Sequence, residues 1–87
     1  MPYISPENRP DMNKVVEAMK IVKVKADGDL NYILFKYCKE AVPTSYNSIK
    51  NFLGELDECR AEIRRRLLAP YEDAKIDQNG DVGHETP

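Results

Sequence analysis

Four arginines, Arg60, Arg64, Arg65 and Arg66, crowd into a single short segment of this 87-residue chain. A guanidinium stays charged at any ordinary pH and presents a rigid fork of N–H donors, which fits a carboxylate or a phosphate in two-point contact. Two chemistries therefore suit the cluster. In one, it is a solvated helix end neutralised by Glu58 and Glu62, since Glu62 to Arg66 is a favourable four-residue helical step. In the other, it is a site for a phosphate-bearing small molecule, with Tyr3, Tyr32 or Tyr71 stacking on a base and Asn31 offering an amide. The first is the simpler reading, and the second rests on one further feature of the spacing, at Arg66. With Ile49, Leu56 and Ile63 at one seam position of a heptad, Phe52, Cys59 and Arg66 fall at the other. Arg66 is then expected to point inward, where an unpaired guanidinium is costly and calls for a carboxylate or a bound anion.

The remaining chemistry-bearing residues exclude more than they suggest. Cys38 and Cys59 lack CxxC spacing, and the lone His84 sits near the end of the chain. That combination makes neither four zinc ligands nor a Cys-His nucleophile pair, so both cysteines are expected to be small core residues. Asp77, Asn79 and Asp81 alternate like the start of a calcium loop, but Val82 stands where the loop needs its glycine. Pro2, once exposed as a prolyl amine, could serve as a base of the tautomerase kind, yet Ser5-Pro6 interrupts any opening strand. No GxxxxGK[ST], GxSxG or HExxH motif occurs. The expectation is a protein that is not an enzyme and needs no cofactor.

Helices must position these residues. Pro6 and Pro10 suit an extended N-terminal arm turning into a helix, and Met12, Val15, Val16, Met19 and Val22 recur at three- and four-residue steps over about 10–25. Asp27-Gly28-Asp29 reads as a tight interhelical turn, with Gly28 taking positive φ and Asp29 capping the next helix. That helix, about 29–41, is apolar over most of its circumference: Leu30, Ile33, Leu34, Tyr37, Cys38 and Ala41 on one side, Tyr32 and Phe35 on another. Such a surface needs more than one neighbour, and a second chain is expected to supply it. Ser45 caps a third helix, about 46–69, whose stripe runs Ile49, Phe52, Leu53, Leu56, Cys59, Ile63, Leu67. Gly54 within it predicts a close helix contact. Pro70 is expected to end the helix, followed by a short turn over 70–73 and a polar, turn-rich stretch from 77 onward.

The predicted architecture is all-α: a small three-helix unit with an extended N-terminal arm and a C-terminal turn or tail, forming an oligomer. Residues 1–82 make the single domain and 83–87 the tail. A formal net charge of −2, with 41% hydrophobic and 32% charged residues, suits a globular domain and argues against bulk nucleic-acid binding. No membrane span or secretory signal is visible, so a cytoplasmic location is expected.

The opening Met1-Pro2-Tyr3-Ile4, the turn Gly28-Asp29-Leu30-Asn31-Tyr32, Leu56-Asp57-Glu58-Cys59, Arg64-Arg65, Pro70-Tyr71-Glu72-Asp73 and Asn79-Gly80-Asp81-Val82 carry a family resemblance. Over residues 1–82 the chain resembles a family of short uncharacterised proteins of bacteriophages and some prokaryotic genomes. The resemblance implies origin and size, and no catalytic residues carry over from it. Small phage proteins often act by binding, which gives the working expectation: a non-enzymatic, anti-defence sponge that sequesters an anionic small molecule at an oligomer interface. A nucleotide-derived host immune signal is the ligand class in view. Arg60, Arg64, Arg65 and Arg66 would pair its charge, Tyr32, Tyr71 or Tyr3 would stack, and Asn31 would donate or accept. The alternative is a protein–protein inhibitor docking through the apolar face of the second helix.

Overall fold

The computed structural model describes residues 3–84, and the Pro2 amine considered above lies outside them. The arm leads through a 3-10 turn, Pro6–Asn8, into helix α1, Arg9–Val22. Pro6 and Pro10 fall where a helix start has no use for the missing N–H. The arm is tied to this start by Arg9 Nε, which donates to the Ile4 carbonyl at 3.2 Å. Helix α1 ends earlier than its apolar spacing implies. Lys23 takes the left-handed conformation, φ 62°, and the Val24 amide closes back onto Met19 at 3.1 Å. Gly28 is thus not the helix stop; it opens helix α2, Gly28–Ala41. Asp27 caps α2 by accepting from the Asp29 amide at 3.1 Å, while the Asp29 carboxylate accepts from the Lys25 amide at 3.2 Å. Both aspartates hold the turn, with the cap at Asp27, two residues earlier than the Asp29 expected.

Val42 is extended, as a residue before proline must be, and α2 stops there. Ser45 then caps helix α3, Tyr46–Ile63, accepting from the Ser48 amide at 3.2 Å. Pro70 does not end the helix. The backbone widens into a π-helical turn over Arg64–Leu68, with the Ala69 amide bonded to the Arg64 carbonyl, and helix α4 follows directly over Ala69–Asn79. The wider turn explains how proline is tolerated. A proline inside a regular α-helix lacks its own donor and its ring crowds the carbonyl four residues back, here that of Arg66; an inserted residue relieves both. The stretch from 77 to 79, expected as loose turn, is therefore helical. Gly80 stops it at φ 83°, its amide bonded to the Ile76 carbonyl at 2.7 Å. A last 3-10 turn covers Val82–His84.

From Tyr46 to Asn79 the chain is one rod of about 50 Å at ordinary helical rise. It accounts for most of the 57 Å long axis of the molecule. The all-α, three-rod architecture is as the residue spacing predicts, and no strand occurs among the described residues. These rods do not close around a centre. Among the described residues none is buried. The better-covered apolar side chains, among them Met19, Leu30, Ile33, Leu34, Phe52 and Leu56, are only half-buried. The radius of gyration is 17.8 Å, against about 12 Å for a compact chain of this length. Gly54 has open space where a Cβ would stand, so the close helix contact expected there is not made within the chain. Cys59 is exposed and not a core residue, and Cys38 is half-buried; both are free thiols.

Candidate functional site

The four arginines lie on the last turn of α3 and on the π turn, and the structure distributes them on both sides of Ile63. Arg65 is used within the chain. Its Nη2 and Nε donate to the two carboxylate oxygens of Glu62, at 2.8 and 3.3 Å, three residues back along the helix. The Tyr3 hydroxyl also donates to Glu62 and in turn accepts from Arg65 Nη2 and Arg66 Nη1, each at 3.3 Å. The Arg66 guanidinium lies 5.7 Å from the centre of the Tyr3 ring, a cation–π distance. Residues more than fifty positions apart are joined here, so this is where the arm is fastened to the rod.

The junction has an electrostatic consequence. Hydrogen bonds from Arg65 and then from Tyr3 hold the Glu62 carboxyl below its ordinary pKa, and the same bond to Glu62 raises that of Arg65. The Glu62 side chain is 17% exposed, so its charge is drawn partly out of solvent and needs those donors. Beside it, Cys59, Glu62, Ile63, Arg66 and Leu67 line an open cleft of about 370 Å³. Arg66 is exposed along this cleft and does not point into a helix seam, because the π turn shifts the register that the heptad count assumes.

Arg60 and Arg64 occupy the other side. They stand four residues apart, on one helical face, and with Ile63 and Leu68 line a second cleft of about 310 Å³. Among the described residues no carboxylate pairs with either. Two guanidinium groups with no carboxylate partner among the described residues thus stand over an apolar floor, an arrangement that suits an anion.

The stacking candidates separate. Tyr3 joins Arg65 and Arg66, as described. Tyr32 on α2 and Tyr71 on α4 each carry a lysine one turn on, Lys36 at 5.6 Å and Lys75 at 5.7 Å from the ring centre. Asn31 lines neither arginine cleft; it stands at the mouth of an apolar groove between α2 and α3, with Leu34, Phe35, Cys38, Ile49, Phe52, Leu53 and Leu56. Tyr37 stacks on Phe52 across the same two helices, centroids 6.3 Å apart. Two participants, Glu62 and Tyr3, take roles other than those the spacing suggests. Glu62 was visible as a helical partner for Arg66, but its actual partner is Arg65, and nothing in the spacing reveals that Tyr3 completes the group.

No cluster of His, Cys, Asp or Glu among the described residues could hold a metal ion, and Asp77 and Asn79 lie on helix α4. No helix of the described residues is long and apolar enough to cross a membrane.

A family model for a domain of unknown function, DUF6899, matches residues 1–82. The chain belongs to that family. Comparison with curated proteins and with solved structures finds no match. The DUF6899 match spans the arm, all four helices and Gly80, so the arm–rod junction and both arginine clefts fall inside the family's domain.

Proposed function

We propose that this DUF6899 chain is a non-enzymatic binding protein that captures an anionic small molecule, with Arg60 and Arg64 as the charge-pairing residues. The observation that carries the reading is their cleft: two guanidinium groups on one helical face, without carboxylate partners among the described residues, over Ile63 and Leu68. A phosphate fits such a pair in two-point contact, and the apolar floor accepts a planar base or the carbon edge of a sugar. Arg66 and the Tyr3 ring extend the basic surface past Ile63. Arg65 contributes less to ligand charge, because Glu62 already neutralises it. In this reading the protein acts as a sponge carried by a phage, and nucleotide-derived host immune signals are the ligand class. Capture needs affinity and abundance, and no turnover.

Equilibrium binding to a panel of cyclic dinucleotides and ADP-ribose-type compounds tests it, followed by heating and recovery of the ligand. Retention at micromolar protein with intact release supports capture; recovery of a cleaved product contradicts it, as does failure to retain any of the panel. Arg64→Ala is expected to weaken binding by about 1.5–3 kcal/mol, the range for a hydrogen bond to a charged group. Arg65→Ala is expected to cost much less. The second reading, a module that blocks a protein target through α2, draws on one observation: the α2 rings Tyr32 and Phe35 are 63% and 71% exposed.

A further inference from the structure

We infer that the apolar groove between α2 and α3 is covered by a second copy of this chain, and that the fold is completed only in that assembly. The inference stands apart from the ligand reading, since the groove and the Arg60–Arg64 cleft are lined by different residues.

A compact protein of 10.0 kDa exposes about 5,200 Å². This chain exposes 7810 Å². The surplus, about 2,600 Å² per chain, exceeds the roughly 800 Å² that each partner contributes to an ordinary complex, and doubled for a pair of chains it reaches the upper end of the range of obligate assemblies. The surplus is apolar where it matters. Phe35 is 71% and Leu53 54% exposed at the groove, and Ile49 and Leu34 beside them are only partly covered. No described residue is buried, so the chain alone has no core to offset the entropy of ordering three rods.

Both the size of the surface and its apolar character point to a partner that is always present when the chain is made, and a second copy meets that condition at matched concentration. A two-fold arrangement also suits the geometry, because a groove lined by the half-buried Phe52 and flanked by the exposed ring of Phe35 can be both donor and acceptor of side chains, as an isologous interface requires. A net charge of only −2 leaves little repulsion between copies.

The test uses the full chain. Sedimentation equilibrium gives its mass, and melting is followed by circular dichroism from about 1 to about 100 μM, because the midpoint of an assembly-dependent fold rises with concentration. The expected result is a discrete oligomer whose melting temperature climbs with concentration, with Phe35→Glu and Leu53→Glu each weakening association at least about hundredfold. A folded monomer with a concentration-independent melting temperature overturns the inference. So does a chain that stays unfolded at every concentration, which would require a different protein as partner. An oligomer indifferent to both substitutions shows that the copies meet elsewhere, and this groove is then wrongly assigned.

Discussion

The arm–rod junction and the α2–α3 groove are built on opposite terms. At the junction, Tyr3, Glu62, Arg65 and Arg66 satisfy one another, and every polar group involved has a partner inside the chain. In the groove, large apolar side chains line a cleft of about 300 Å³ that stands open among the described residues. Burial at about 25 cal/mol per Å² is the dominant favourable term in folding, while exposed hydrogen-bonded pairs contribute little. The chain therefore closes its polar contacts at the junction internally, while its main apolar surface stays open within the described residues and is covered only in the proposed assembly. The junction fixes geometry; the groove carries the stability.

That contrast can be broken first at the groove. Phe52→Ala is expected to lower the stability of the assembled protein by about 3 kcal/mol or more, as truncation of a large ring in a packed interior does. Urea unfolding at fixed protein concentration measures it, and a loss no larger than that of an exposed aromatic would place Phe52 in solvent. Next comes Ser45→Ala, which removes the acceptor for the Ser48 amide and should cost about 1 kcal/mol wherever the groove is covered. It calibrates the comparison, because its effect is local to the start of α3.

The junction should respond least, and in a pH-dependent way. Glu62 has its pKa lowered in the folded chain, chiefly by Arg65 and then by Tyr3. A carboxylate of that kind stabilises the fold above its unfolded pKa, and the contribution fades as pH falls through the lower folded value. Glu62→Gln should therefore be less stable than the wild type near neutral pH, and the two melting temperatures should converge as pH drops well below about 4. Tyr3→Phe removes the hydroxyl that bridges arm and rod, and its effect on global melting should be smaller than that of Ser45→Ala. Its visible signature is local: faster hydrogen exchange of amides in the arm with little change in α2.

Helical spacing made most of the local structure legible. The three- and four-residue steps through Met12, Val15 and Met19, and the stripe from Ile49 to Leu56, identify their helices because amphipathic periodicity survives even where nothing yet covers it. Ser45 was readable as a cap for the same reason that it works as one: a hydroxyl before a helical run can accept from its free amides. Boundaries governed by backbone alternatives were not readable. Lys23 takes a conformation that glycine favours, and the chain passes Pro70 by widening a turn, a route that residue preferences do not advertise.

The site divides in the same manner. The arginine cluster is plain in the sequence, but its partition into a neutralised Arg65, a Tyr3-bound Arg66 and the pair Arg60 and Arg64, which lack carboxylate partners among the described residues, depends on helix phase and on a contact across more than fifty residues. Tyr32 and Tyr71 sit at four-residue steps from Lys36 and Lys75, so those rings already carry a cation within their own helices. The breadth of the apolar surface of α2 was legible as well, and it is the feature on which the present account turns.

Isotope-filtered NMR on a mixture of labelled and unlabelled chains tests that account most directly. It predicts intermolecular contacts from the methyl groups of Leu34, Ile49 and Leu53 to aromatic protons of another copy. Contacts confined to single chains, in a sample whose amides are nevertheless protected and folded, would contradict it.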